Sequence, residues 1–166
     1  MDRAAFMEAH STQEKLDICF AQPDYPWGPG QVARYNSCDT FVLSVALDNY
    51  FKRMAGPEAD LWDMVTEEVL QPIGVYHAPI LRTIESSGSR GVPLFWVGLY
   101  PTVDDLAKVA ILLRDGGQYQ GQQLLHPGKV AEALRRTEEP GFPSGEMNAA
   151  GEGTYLLSFW SMPYRT

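Results

Sequence analysis

The chain has 166 residues, 45% of them hydrophobic and 20% charged, a composition that excludes disorder and fibrous repeats and suits one folded domain. Thirteen basic residues against 21 acidic ones leave a net charge of −8, which excludes a nucleic-acid or anionic-membrane partner because phosphates would be repelled. No apolar run reaches the roughly 18 residues needed to cross a bilayer. The opening residues Met1-Asp2-Arg3-Ala4-Ala5-Phe6 lack a basic segment followed by an apolar stretch, so the sequence reads as cytoplasmic unless a signal precedes Met1. Cys19 and Cys38 match neither a disulfide framework nor a metal-ligand spacing, and both are expected to be reduced thiols.

No repeat or heptad run is visible, and the periodic segments read as one body over 1–166. Ser11-Thr12-Gln13-Glu14 is a capping-box pattern that predicts a short helix through about Ala21. Pro23, Pro26, Pro29, Gly28 and Gly30 make the next stretch a rigid loop, with Tyr25 and Trp27 available to pack. From Ser37 to Met54, Leu43, Leu47, Tyr50 and Met54 recur at helical intervals and predict a long helix with that face inward. Gly56-Pro57 stops it. A helix from Glu58 to Leu70 should follow, ending before Pro72, and then a turn at Ile73-Gly74-Val75.

Ser86 to Gly91 reads as a flexible loop, and Val92 to Tyr100 as extended or irregular. Thr102 can cap a helix whose first turn carries Asp104 and Asp105, with Leu106, Val109, Ala110 and Leu113 inward and Gly116-Gly117 ending it. Pro127 opens another helix to about Thr137. The tail from Thr154 to Pro163 is rich in aromatic and β-favouring residues and predicts a strand with no obvious neighbour. The expected fold class is mostly α with a C-terminal β-strand.

Metal and nucleotide chemistry find little support. His10, His77 and His126 are isolated from one another and from the cysteines, so neither metal nor cofactor is expected. Gly28-Pro29-Gly30-Gln31-Val32-Ala33 fits a dinucleotide glycine pattern in letters only, because it follows a proline loop rather than a strand. Arg34-Tyr35-Asn36-Ser37-Cys38-Asp39-Thr40 is more informative, since it joins the loop to the long helix, where side chains can be held rigidly at a cleft. Tyr35 can carry a proton if a nearby cation lowers its pKa from about 10. The plainer alternative is that Tyr35 packs inward while Ser37 or Asp39 caps the helix.

Pro29-Gly30, Tyr35-Asn36-Ser37 and Phe41-Val42-Leu43 resemble the second motif region of the serine β-lactamase and penicillin-binding-protein superfamily, in the class C and esterase-like branch. The Tyr-x-Ser form before Asp39-Thr40 is similar to hydrolases of the 6-aminohexanoate-dimer type. Three further segments resemble the family in order: Val69-Leu70-Gln71-Pro72-Ile73-Gly74-Val75, Gly98-Leu99-Tyr100-Pro101-Thr102 through Asp105-Leu106-Ala107, and Leu112-Leu113-Arg114-Asp115-Gly116-Gly117 with Gly121 and Leu124-Leu125.

The resemblance implies the helical half of an α+β catalytic domain, with 154–163 as the first strand of a missing sheet. Tyr35 would be the proton shuttle and Ser37 would line the cleft in place of the motif asparagine. Asn36 and Trp96 would meet a small amide or ester substrate; Trp27 and Trp96 have core packing as the alternative. The family's Ser-x-x-Lys nucleophile motif is absent, and so is its Lys-Thr-Gly-type motif. Thr12-Gln13-Glu14-Lys15 has only the spacing, and His126-Pro127-Gly128 opens a helix rather than a strand. The chain alone is therefore expected to be an inactive internal piece of a serine hydrolase, its partner being the missing half or a second copy paired through the C-terminal strand. The alternative is a stand-alone domain that binds a ligand or partner on the same scaffold.

Overall fold

The computed structural model describes residues 3–28, 30–148 and 151–164, without the side chains of 146–148. Its contacts divide the chain into two units, Met1–Pro23 with Asn36–Val109 and Asp24–Tyr35 with Ala110–Thr166.

In the first unit, α1 (Arg3–Glu8) leads into α2 (Thr12–Phe20). The predicted capping box is present: Ser11 Oγ accepts from the Glu14 amide, and the Glu14 carboxylate accepts from the Ser11 amide. α3 (Ser37–Ala55) keeps its expected bounds to within one residue and stops at Gly56, whose φ of 112° suits only glycine.

The buried face of α3 is the reverse of the one its periodicity suggests. Leu43, Leu47, Tyr50 and Met54 are exposed at 49%, 39%, 58% and 69%, whereas Cys38, Phe41, Ser44 and Asp48 are buried. The helix is apolar around most of its circumference, so spacing alone does not choose a side. Asp48 is tolerated inside because Lys52, one turn on, donates to its Oδ2 at 2.7 Å.

α4 (Leu61–Val65) starts later than its spacing predicts because Asp60 Oδ1 accepts from the Trp62 and Asp63 amides and so caps the helix there. It continues as a π-helical turn, Thr66–Leu70, before the expected turn. β1 (Arg82–Ile84) and β2 (Arg90–Pro93) pair antiparallel across the Ser-rich loop, so only the start of the Val92–Tyr100 run is strand. The core joins Phe6, Cys19, Cys38, Phe41 and Leu94, with Leu16, Val45 and Trp96 packed against it. The Phe6 and Phe41 rings meet edge to face at 5.8 Å.

Cys19 and Cys38 form a disulfide between the last turn of α2 and the first turn of α3, with Cα atoms 5.3 Å apart. This corrects the expectation of reduced thiols. A pair 19 residues apart carries no sequence signature; the two helix ends are brought together by the core they share.

α5 (Val103–Arg114) begins in the first unit and ends in the second. Thr102 caps it as expected, accepting from the Asp105 amide at 3.1 Å while its own amide donates to the Asp105 carboxylate at 2.9 Å. Leu112 is its buried residue, and Leu106, expected inward, is 55% exposed. In the second unit the β3 (Gln118–Tyr119) and β4 (Gln122–Gln123) hairpin follows, then α6 (Pro127–Ala133), which opens at its predicted proline. α6 ends short of Thr137, where Arg135 turns to a φ of 57°.

β5 (Phe142–Asn148), β6 (Gly151–Leu156) and β7 (Phe159–Ser161) form an antiparallel sheet in that order. The tail is thus not one neighbourless strand. It folds back at Leu157 and Ser158, both at positive φ (48° and 66°), the geometry of a primed hairpin turn. With three small antiparallel sheets among the described residues, the fold class is α+β, which corrects the expectation of a mostly α chain with a single strand.

Candidate functional site

Asn36 and Ser37 fall at the start of α3 and Trp96 in a cleft of the first unit, while Tyr35 is the last residue of the second unit's first segment. Asn36, extended at φ −143° and ψ 127°, is the N-cap: its Oδ1 accepts from the Cys38 amide at 3.1 Å. Its Nδ2 donates to Gln22 Oε1 at 2.9 Å. Asparagine caps as well as serine or aspartate, so Asn36 takes the position assigned above to Ser37 or Asp39. Both ends of the amide expected to meet substrate are thereby engaged in holding the helix start. Ser37 is the first helical residue and is half-buried.

Tyr35 belongs to the second unit and is 52% exposed, so it does not pack fully inward. Its ring lies 6.5 Å from that of Trp160, which meets Tyr155 edge-on at 5.0 Å. The segment before it is tied to β5 by the Ala33 amide donating to Pro143 O at 2.9 Å. Arg34, its chain neighbour, faces the Tyr25 ring at 5.9 Å, and Tyr25 stacks on Trp27 at 5.2 Å. Pro29 of the same motif region lies outside the described residues.

Trp96 packs against the core and also lines a cleft. It packs 5.2 Å from Phe6, and it also lines an open cleft of about 340 Å3 with Trp62, Ile80, Leu94, Phe95 and Leu99. That volume is in the range of small-molecule sites, and the lining is apolar. Trp62 is steadied there by donating Nε1 to Ala78 O at 2.9 Å. Gly98, at φ 107°, also lines the cleft, and a Cβ there would lie 2.6 Å from Leu81 Cβ, so the wall requires glycine.

Thr12 and Lys15 do not form a nucleophile and its base. Thr12 Oγ1 donates to Glu85 Oε1 at 2.6 Å and shares a 2.9 Å hydrogen bond with Thr83 Oγ1. Lys15 points into the core, where its Nζ donates to Phe6 O at 2.7 Å and lies 4.7 Å from the Phe6 ring. Burial holds its pKa below the usual lysine value. A buried lysine in the middle of a short helix, and Gln22 as the anchor of Asn36, are features that spacing did not reveal.

The other family-like segments serve as joints. Val75 N donates to Leu70 O at 2.9 Å around Gly74, and Lys108 Nζ donates to Gly74 O at 2.8 Å, linking the second segment to α5. Gly117, at φ 83°, returns its amide to Leu112 O at 2.8 Å and ends α5. Among the described residues no three His, Cys, Asp or Glu side chains are grouped to hold a metal ion, and no helix is long and apolar enough to cross a membrane. No protein-family model, curated protein or solved structure matches the chain, so the likeness to β-lactamase-related hydrolases rests on its four sequence segments.

Proposed function

We propose that this chain is part of a β-lactamase-related serine hydrolase that cleaves an amide or ester through an acyl-enzyme, with Tyr35 as its proton carrier. What supports the reading is the placement of Tyr35: a half-exposed phenol on the segment that enters α3, whose first turn is fixed by the Asn36 cap. An accessible tyrosine on the segment that leads into a capped helix can meet a reacting group as a proton carrier. Ser37, two residues on and the first residue of α3, is the further group assigned to the substrate side. Acyl transfer also needs an activated nucleophile and oxyanion donors. With Thr12 bound to Glu85 and Lys15 to Phe6 O, the chain by itself turns over no amide or ester.

The residues encoded on either side of this segment test the proposal. A Ser-x-x-Lys on a helix preceding it supports the hydrolase; its absence from the gene contradicts it. A second reading, a non-catalytic ligand-binding domain, is favoured by one observation: the apolar cleft around Trp62, Phe95 and Trp96 is built within the first unit alone.

A further inference from the structure

We infer that the Cys19–Cys38 disulfide, Gln22 and Asn36 form a redox-sensitive clasp on the start of α3. Four links close a ring. The disulfide joins α2 to α3, and Gln22 Nε2 donates to Cys19 O at 3.2 Å. Gln22 Oε1 accepts from Asn36 Nδ2 at 2.9 Å, and Asn36 Oδ1 accepts from the Cys38 amide at 3.1 Å, which returns the ring to the bridged cysteine. Gln22 therefore uses both ends of its amide to couple the end of α2 to the cap of α3.

The arrangement makes the covalent and polar halves depend on each other. Between the cysteines runs a proline- and glycine-rich loop whose described residues between 21 and 36 contribute no helix or strand. Opening the disulfide releases the ends of that loop, and the released chain entropy then bears on the three hydrogen bonds. Conversely, Cys19 and Cys38 are 9% and 2% exposed, so a reductant reaches them only when the helix ends part. Gln22 thus acts as a latch on reduction as well as a brace for Asn36.

The chemistry balances with a dithiol as reductant. One of its thiolates attacks a cysteine Sγ, the Sγ–Sγ bond breaks with one cysteine leaving as a thiolate while the other is held in a mixed disulfide, and the reductant's second thiolate then attacks the reductant's own bridged sulfur and displaces that cysteine. Both cysteines end as thiols, having gained two electrons and two protons, and the reductant leaves as its own disulfide. An oxidising compartment keeps the clasp closed and a dithiol-buffered one opens it. When it opens, the first turn of α3 frays, and Asn36 and Ser37 lose their fixed position. The bearing on Ser37 as a substrate-side group rests on the hydrolase reading; the clasp does not.

Amide hydrogen exchange on the oxidised chain and on the chain reduced by dithiothreitol tests it, with thiol content verified by maleimide labelling and mass spectrometry. The Cys38 and Asp39 amides, which donate to Asn36, are the reporters, and the Val75 and Gly117 amides are the controls. Reduction should lower protection at the reporters more than about tenfold and leave the controls unchanged. In the oxidised chain Gln22→Ala should lower reporter protection by about three- to tenfold and speed reduction. In the reduced chain the same substitution should lower it by a larger factor. Unchanged reporters after complete reduction, an equal loss at the controls, or the same Gln22→Ala factor in both redox states would each overturn the clasp. None of these readouts involves turnover, so failure of the hydrolase reading leaves them unaffected.

Discussion

Replacing Asp60 by alanine removes a helix cap and the centre of an ion-pair network in one step. The Asp60 side chain is 8% exposed, and it accepts from Arg82 Nη1 and Nη2 at 2.8 Å each, with Arg90 Nε at 3.3 Å. Its Oδ1 also accepts from the Trp62 and Asp63 amides. Breaking a buried pair by removing one partner costs about 3–5 kcal/mol, because the other charge is left without its counter-ion. Losing a cap costs about 1 kcal/mol. Arg82 keeps Gly91 O as an acceptor and is 16% exposed, so the total for Asp60→Ala should fall near 4 kcal/mol. Asp60→Asn retains an oxygen for the two amides and should be milder by about 1 kcal/mol. Urea unfolding followed by circular dichroism measures both. A loss below about 1 kcal/mol for Asp60→Ala, the range of a surface ion pair, would refute the reasoning.

Further expectations follow from the same structure. Phe41, fully buried against Phe6, should cost about 3–5 kcal/mol as Phe41→Ala in the same assay; a loss under about 1 kcal/mol would mean the site collapses around the cavity. Burial would raise the Asp60 and Glu85 pKa values, but hydrogen bonds from Arg82 to Asp60, and from Thr12 and Thr83 to Glu85, outweigh it and hold both low. A depressed carboxylate stabilises the fold above its unfolded pKa of about 4 and loses that contribution as pH falls through the folded value. Stability should therefore decline below about pH 4.5, and less steeply in Asp60→Asn, as measured by thermal melts across pH. β7 lies at one edge of its sheet, so light scattering should show concentration-dependent association that Ser161→Lys reduces; a monomer at every concentration would argue against strand pairing.

What was legible in the sequence is local chemistry. Ser11 with Glu14, Thr102 with Asp105, and Pro127 each mark a helix start through a bond or a missing N–H that lies within one turn, and each stands where it was expected. Partnerships across the chain were not legible. The burial of Asp48 depends on Lys52 and on which side of α3 meets Phe6, and the disulfide depends on two helix ends meeting in the core. β-Propensity marks the tail as strand but cannot show that Leu157 and Ser158 turn it into a hairpin. At the candidate site, Tyr35 and Trp96 stand out by residue type. The cap that Asn36 makes reaches only to the Cys38 amide two residues on, but its anchor, Gln22, comes from 14 residues away and has no periodic signal.

The hydrolase reading is tested most directly by fluorophosphonate labelling of the intact gene product, with this chain as the comparison. The account predicts one labelled serine, in a Ser-x-x-Lys that this chain does not contain, and labelling slowed roughly 100-fold or more by Tyr35→Phe. The chain alone should remain unlabelled. A covalent adduct on any serine of this chain, or labelling of the intact product that is indifferent to Tyr35→Phe, would contradict it.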